Sequence, residues 1–146
     1  AGATAFEAFG ADEDYQKVMQ LRAVDPVGEV VGPWIGRMIF GNAPKGSKPV
    51  VVHRDYHTPR SAVQKALELA PELQNLMESL GVEVGVGMPI MKDDHEMLRI
   101  VYRFDSMVHW GQSVDKMVTD ERFLGIVNAA HEAATLKSSR MLVKVE

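Results

Sequence analysis

The chain has no cysteine among its 146 residues. That excludes disulfides, thiolate nucleophiles and cysteine-held metals, and it fits a reducing compartment such as the cytoplasm. No run of lysine and arginine stands out, and the formal net charge is -4. A nucleic-acid surface is therefore not expected. No apolar stretch approaches the roughly 20 residues that a membrane-spanning helix needs, so no membrane partner is expected either. The opening Ala1-Gly2-Ala3-Thr4-Ala5 lacks the basic flank and apolar core of a signal peptide. No glycine spacing matches a dinucleotide or phosphate loop. No Gly-x-Ser-x-Gly turn is present, which removes the usual signature of a serine hydrolase.

What is present reads as one ordinary compact core. Hydrophobic residues make up 46% and charged residues 25%. The nine methionines are scattered, which suits core filling better than a dedicated pocket lining. Residues 1–47 differ from the rest and read as an N-terminal helical and loop extension. Asp12 to Val24 has a helical stripe of Tyr15, Val18, Met19 and Arg22, stopped by Asp25-Pro26. A short strand is expected at Trp34–Phe40, then a loop from Gly41 to Gly46.

Residues 48–146 read as a second domain with a clear element order. Val50–His57 is a strand. Thr58 is expected to cap a helix with Pro59 at its first position. Pro71 should kink or divide that helix, and Gly81 should end it. Val82, Val84, Val86 and Met88 alternate with Glu83, Gly85 and Gly87, marking a second strand. Met97–Asp105 is a third. Ser106 and Asp120 are expected helix caps, and Arg140–Val145 is the last strand. Ser138-Ser139 before it looks like a turn. Strand–helix–strand, turn, strand–helix–strand gives an α+β, ferredoxin-like βαββαβ sheet with its helices on one face. The other face needs a partner.

That other face holds the most informative row. Side chains alternate along a strand, so His53, Asp55 and His57 share one side while Arg54 and Tyr56 point to the other. Three ionisable groups in a row are costly against a dry core. Extending the alternation adds Glu83, Arg99 and Arg103 to the same face. A polar hollow and an internal salt-bridge network both fit that composition.

The order of elements, with Tyr102-Arg103-Phe104-Asp105-Ser106, Trp110, Asp120-Glu121-Arg122-Phe123 and Ser138-Ser139-Arg140-Met141-Leu142, resembles the dimeric alpha–beta barrels. The nearest likeness is to the NIPSNAP-like and antibiotic-biosynthesis-monooxygenase-like groups, over about residues 49–146. The resemblance implies a homodimeric barrel made of two packed sheets. It also implies a small, partly apolar organic ligand, bound between sheet and helices or inside the barrel. Its activities include cofactor-independent oxygenation, polyketide cyclisation, haem degradation and dehydration. Some members have none. Residues 1–47 would pack on the barrel, with Trp34 as a lid.

The chemistry expected from the residues is acid–base. A histidine next to a carboxylate can take a proton near neutral pH, and an arginine can steady the resulting anion. His53, Asp55, His57, Arg99 and Arg103 are the catalytic candidates. Glu83, Tyr56, Tyr102 and Trp34 are the substrate-side candidates, the two tyrosines lying on the helix side. The leading expectation is a cofactor-independent monooxygenase or cyclase-like enzyme. The alternatives are a non-catalytic ligand-binding or structural barrel, and a metal enzyme. For a metal, His53, Asp55 and His57 would supply ligands for zinc or non-haem iron. A regular strand puts the two histidine backbones ~13 Å apart, which weakens that set. Haem, through His109 or His131, is a further alternative.

Overall fold

The computed structural model describes residues 2–25, 35–41, 46, 48–92 and 94–145. It divides into two compact units, residues 1–32 and 33–146. In the first, α1 (Gly2–Ala11) and α2 (Glu13–Val24) meet at Asp12. The Asp12 carboxylate accepts from the Tyr15 N–H at 2.8 Å, so it caps α2 rather than starting it. The expected stripe of α2 is real in sequence but buries nothing within its own unit: Tyr15, Val18 and Met19 are all exposed. α1 was not expected. Its small residues carry no long-range period, only local helix propensity.

The second unit holds five strands: β1 (Ile35–Phe40), β2 (Val50–His57), β3 (Glu83–Met91), β4 (Met97–Phe104) and β5 (Thr135–Val143). Their order is β1-β3-β4-β2-β5, and every pairing is antiparallel. Four helices complete it: α3 (Val63–Glu68), α4 (Ala70–Ser79), α5 (Met107–Met117) and α6 (Glu121–Ala133). β2 to β5 with these helices make the expected ferredoxin-like βαββαβ arrangement. β1 is an addition at the β3 edge. The division expected at residue 47 therefore needs correction, because residues 35–40 hydrogen-bond into the sheet. The glycine- and proline-rich stretch after Phe40 has the composition of a linker, yet it connects two strands of one sheet. Trp34 lies outside the described residues.

Local signals explain most boundaries. Leu69 separates α3 from α4, and Pro71 sits in the first turn of α4, where its missing N–H costs nothing. Gly81 takes φ +73° after α4, a left-handed turn that favours glycine. Ser106 caps α5 by accepting from the His109 N–H, and Asp120 caps α6 by accepting from Arg122 and Phe123. Thr58 is not the expected cap. It is fully buried and its hydroxyl donates back to the Tyr56 carbonyl at 3.5 Å, while a 3-10 turn at Arg60–Ala62 leads into α3. β5 starts five residues earlier than expected, at Thr135, so Ser138-Ser139 is strand and not turn.

The core lies between one sheet face and the helices. Val50, Val52, Val84, Tyr102 and Phe104 pack with Leu73, Leu76 and Met77 of α4, Met117 of α5, and Phe123 and Ile126 of α6. The strand members all come from the helix-facing phase of the alternation. Among the described residues, no helix is long and apolar enough to cross a membrane.

Candidate functional site

The register of β2 against β4 sets Asp55 opposite Arg99 and His53 opposite Val101. β5 sets Arg140 beside His53 and Ser138 beside Asp55. Asp55 is thus enclosed from both sides. Arg99 grips it with two hydrogen bonds, Nε to Oδ1 at 2.6 Å and Nη2 to Oδ2 at 2.8 Å. Arg140 Nη2 donates to Oδ2 at 3.2 Å, Ser138 Oγ at 3.4 Å, and Lys92 Nζ lies 3.6 Å away. Burial pushes the Asp55 carboxyl up, but the hydrogen bonds and charge of Arg99, with Lys92 and Arg140, outweigh it and hold the group below the ordinary carboxylate range.

The His/Asp pairs expected along β2 are therefore not formed. Asp55 is committed to Arg99. His57 turns instead to the segment before β4, with Nδ1 3.3 Å from Asp94 and Nε2 3.9 Å from Glu96. The Asp94 carboxyl is lowered: burial raises it, while hydrogen bonds from His57 and from the Glu96 N–H lower it more. His53 is half-buried and its ring has no hydrogen-bond partner among the described residues. Burial lowers its pKa first, then the charge of Arg99; Asp55 works against this, and Arg140 and Arg103 add to it. Its imidazole is held neutral. Glu83 is paired with Lys48 at 3.4 Å, and Lys48 also reaches Asp105 at 2.6 Å. Arg103 is buried at 9% exposure, and its Nη1 has no hydrogen-bond partner.

The helix side of the sheet is different. A cleft with about 490 Å³ of empty space, part of it open to solvent, lies between β2, β4, α3, α4 and α6. Leu69, Leu73, Leu98, Ile100 and Ile126 line it, and Tyr56 and Thr58 supply its polar groups. A smaller groove of about 260 Å³ is lined by Arg54, Tyr102, Trp110 and Phe123, among others. The Arg54 guanidinium stands 5.5 Å from the centre of the Tyr102 ring. Such a cation–π contact is worth roughly 0.5–2 kcal/mol, less than a paired carboxylate in the same place. No carboxylate pairs with Arg54 among the described residues. Tyr102 is buried, which pushes its phenol well above the ordinary range, against an opposing pull from Arg54; it stays protonated. Tyr56 and Tyr102 thus lie on the helix side as expected. Arg54 is the residue that sequence reasoning passed over, although the alternation had already placed a guanidinium on the buried side.

The metal and haem alternatives meet this geometry poorly. Among the described residues, no three His, Asp or Glu side chains converge as a metal-ligand set. His53, Asp55 and His57 take separate partners. His109 uses both ring nitrogens: Nδ1 accepts from the Asp105 N–H at 3.1 Å and Nε2 lies 2.7 Å from the Leu80 carbonyl. Neither nitrogen is spare for an iron. His131 is exposed on α6, outside both clefts.

No family model matches the chain, and no curated protein matches it. Solved structures do. A haem-degrading enzyme from Listeria monocytogenes superposes with a TM-score of 0.57 at 12% identity, over 89% of this chain and 94% of that one. A NIPSNAP family protein from Agrobacterium tumefaciens gives 0.54 at 16% identity, over 73% and 95%. A NIPSNAP domain protein from Burkholderia xenovorans gives 0.53 at 12% identity, over 66% and 93%. At such identities the likeness is one of fold: this chain is built on the same ferredoxin-like α+β plan as the NIPSNAP proteins.

Proposed function

We propose that the protein is an enzyme acting on a small, partly apolar organic anion held between the sheet and the helices. Its reaction is of the cofactor-independent monooxygenase or cyclase type, and its working form is a homodimer. One observation carries this reading. Arg54 sits on the helix-covered face beside Tyr102 with no carboxylate partner among the described residues. A guanidinium kept there costs desolvation unless it serves an anion. Tyr56, two residues along the same face and ~6.6 Å away by strand rise, brings a phenol to the wall of the apolar cleft. The apolar body of a substrate fits the cleft. Its carboxylate, phenolate or enolate would meet Arg54, and Tyr56 would donate or receive the proton. Oxygenation and cyclisation both begin from an anion stabilised in this way.

The test is a binding screen of aromatic and acyl carboxylates and phenolates by calorimetry, with wild type and Arg54→Met. A charge-assisted hydrogen bond is worth about 1.5–3 kcal/mol, so loss of Arg54 should weaken binding by roughly 10- to 150-fold. Equal affinity in the variant would refute the site. Products from a bound ligand incubated with oxygen would then establish turnover. A second reading, a ligand-binding or structural barrel without chemistry, is favoured by the closed Asp55 lattice on the other face, which satisfies itself without a histidine. Binding that depends on Arg54 but yields no product, with any ligand and with Tyr56→Phe binding as wild type, would support that reading.

A further inference from the structure

We propose that the sheet face turned away from the helices binds a small tetrahedral oxyanion of the phosphate or sulfate class, between Arg103, His53 and Arg140. This site is separate from the helix-side cleft, since the sheet itself lies between them, and it does not rest on the reading given for that cleft.

Three observations meet here. Arg103 Nη1 is buried and has no acceptor, the only such side-chain atom among the described residues. A buried N–H of a charged group is expensive to leave unmatched, so an acceptor from outside the chain resolves it. Next, the charges around His53 are unbalanced. Arg99 and Arg103 of β4 and Arg140 of β5 all act on its ring, against Asp55. The Asp55 oxygens already carry Arg99, Arg140 and Ser138. Glu83 is the other nearby carboxylate on β3, and Lys48 pairs with it. Finally, the region beside Arg103 is open to rearrangement. Gly85 has no side chain, and its missing Cβ would meet the Met38 methyl and lie 3.6 Å from Arg103 Nη1. Met38 is 38% exposed on the edge strand, so its flexible thioether can swing aside.

A tetrahedral dianion answers these features better than a carboxylate. It presents acceptors in several directions, so guanidiniums arriving from two strands can each find one. It also offsets two positive charges rather than one. His53 supplies the third side. The anion would favour the protonated imidazole, which the surrounding arginines otherwise disfavour. Binding and protonation at His53 should therefore reinforce each other.

The experiment follows the His53 ring by NMR, with its signals assigned through His53→Gln. The intact protein is titrated with sodium sulfate, and separately with inorganic phosphate, against sodium chloride at equal ionic strength. Sulfate keeps its charge between pH 5 and 8, so any pH dependence belongs to the protein. The expected result is a saturable shift of the His53 signals with sulfate and a raised His53 pKa in its presence, with affinity rising as the pH falls below neutrality. Arg103→Met should weaken sulfate binding at least tenfold. Arg140→Gln, whose exposed side chain gives up only its 3.2 Å contact to Asp55, should weaken it severalfold. Arg54→Met should leave it unchanged. No saturable shift beyond that of chloride overturns the proposal, as does wild-type sulfate affinity in both Arg103→Met and Arg140→Gln. A loss of sulfate binding in Arg54→Met would place the anion on the other face and overturn it too.

Discussion

Removing the charge of Asp55 tests whether that residue is an anchor. The substitution is Asp55→Asn, which keeps the shape. Asp55 is 2% exposed and receives two short bonds from Arg99, itself 6% exposed. Breaking one side of a buried ion pair typically costs about 3–5 kcal/mol, because the partner charge is left without compensation. The asparagine carbonyl can keep one of the bonds, so the lower end, about 3 kcal/mol, is the reasonable expectation. Arg99 and Arg140 would both lose the charge of the carboxylate they share. For a domain of this size, ~3 kcal/mol corresponds to a fall in Tm of roughly 6–12 °C. Urea unfolding and calorimetry would measure it. Two controls separate the ion pair from general damage. Arg140→Gln removes the half-exposed contact at 3.2 Å and should cost no more than about 1 kcal/mol. Asp55→Leu combined with Arg99→Met removes both buried charges and should recover much of the loss. A change below about 1 kcal/mol in Asp55→Asn, the range of exposed pairs, would refute the anchor and return Asp55 to the list of catalytic candidates.

Other positions give independent checks. Gly41 takes φ +84°, and a Cβ there would lie 2.6 Å from the Val84 carbonyl oxygen; Gly41→Ala should destabilise by about 2 kcal/mol or more, read from the urea midpoint. Gly85→Ala clashes with the movable methyl of Met38 while the Phe40 carbonyl and Arg103 stay at ordinary contact distance, so it should cost clearly less than Gly41→Ala in the same assay. His109→Phe loses the bridge between the Leu80 carbonyl and the Asp105 N–H and should cost about 1–3 kcal/mol. Stability should also depend on pH in two windows. The lowered Asp55 group stabilises fully above the unfolded carboxylate value of about 3.9 and loses that contribution as pH falls through its lower folded value. The lowered His53 group acts in the same direction: its contribution is complete above about 6.5 and declines as pH falls towards its folded value. His53→Gln should flatten the upper window and leave the lower one, as pH-resolved urea unfolding would show.

Much of the sheet was legible because its signals are local. Period-two alternation separated Arg54 and Tyr56 from His53, Asp55 and His57, and the cores of the two faces follow it. Ser106, Asp120, Pro71 and Gly81 act within a few residues of their own position, so they announced their roles. β1 was recognisable as a strand, but its membership of the sheet depends on β3, more than forty residues later, and the loop after Phe40 imitates a linker. The start of β5 was hidden for another reason. Residues 135–140 are mostly exposed, and an edge strand with little to bury shows no hydrophobic period.

The site was less legible because partners on a sheet come from neighbouring strands. Along β2, Asp55 has a histidine two residues away on either side, and that spacing suggests a dyad. Across the sheet, Arg99 stands directly opposite, and a guanidinium with two aligned donors outcompetes an imidazole for a carboxylate. The outcome also decides the chemistry. A carboxylate engaged on both oxygens and held below its ordinary range is a weak proton acceptor. A neutral imidazole with no hydrogen bond to either nitrogen has a lone pair to offer. Of these two groups, His53 rather than Asp55 is the better proton acceptor. On the helix face Tyr56 is the phenol that lines the apolar cleft, whereas Tyr102 lies outside that lining and its phenol is held protonated. Substituting His53 should then affect events on one side of the sheet and substituting Tyr56 on the other. A joint effect, with both variants losing the same activity, would mean that the sheet does not divide the molecule as these contacts require.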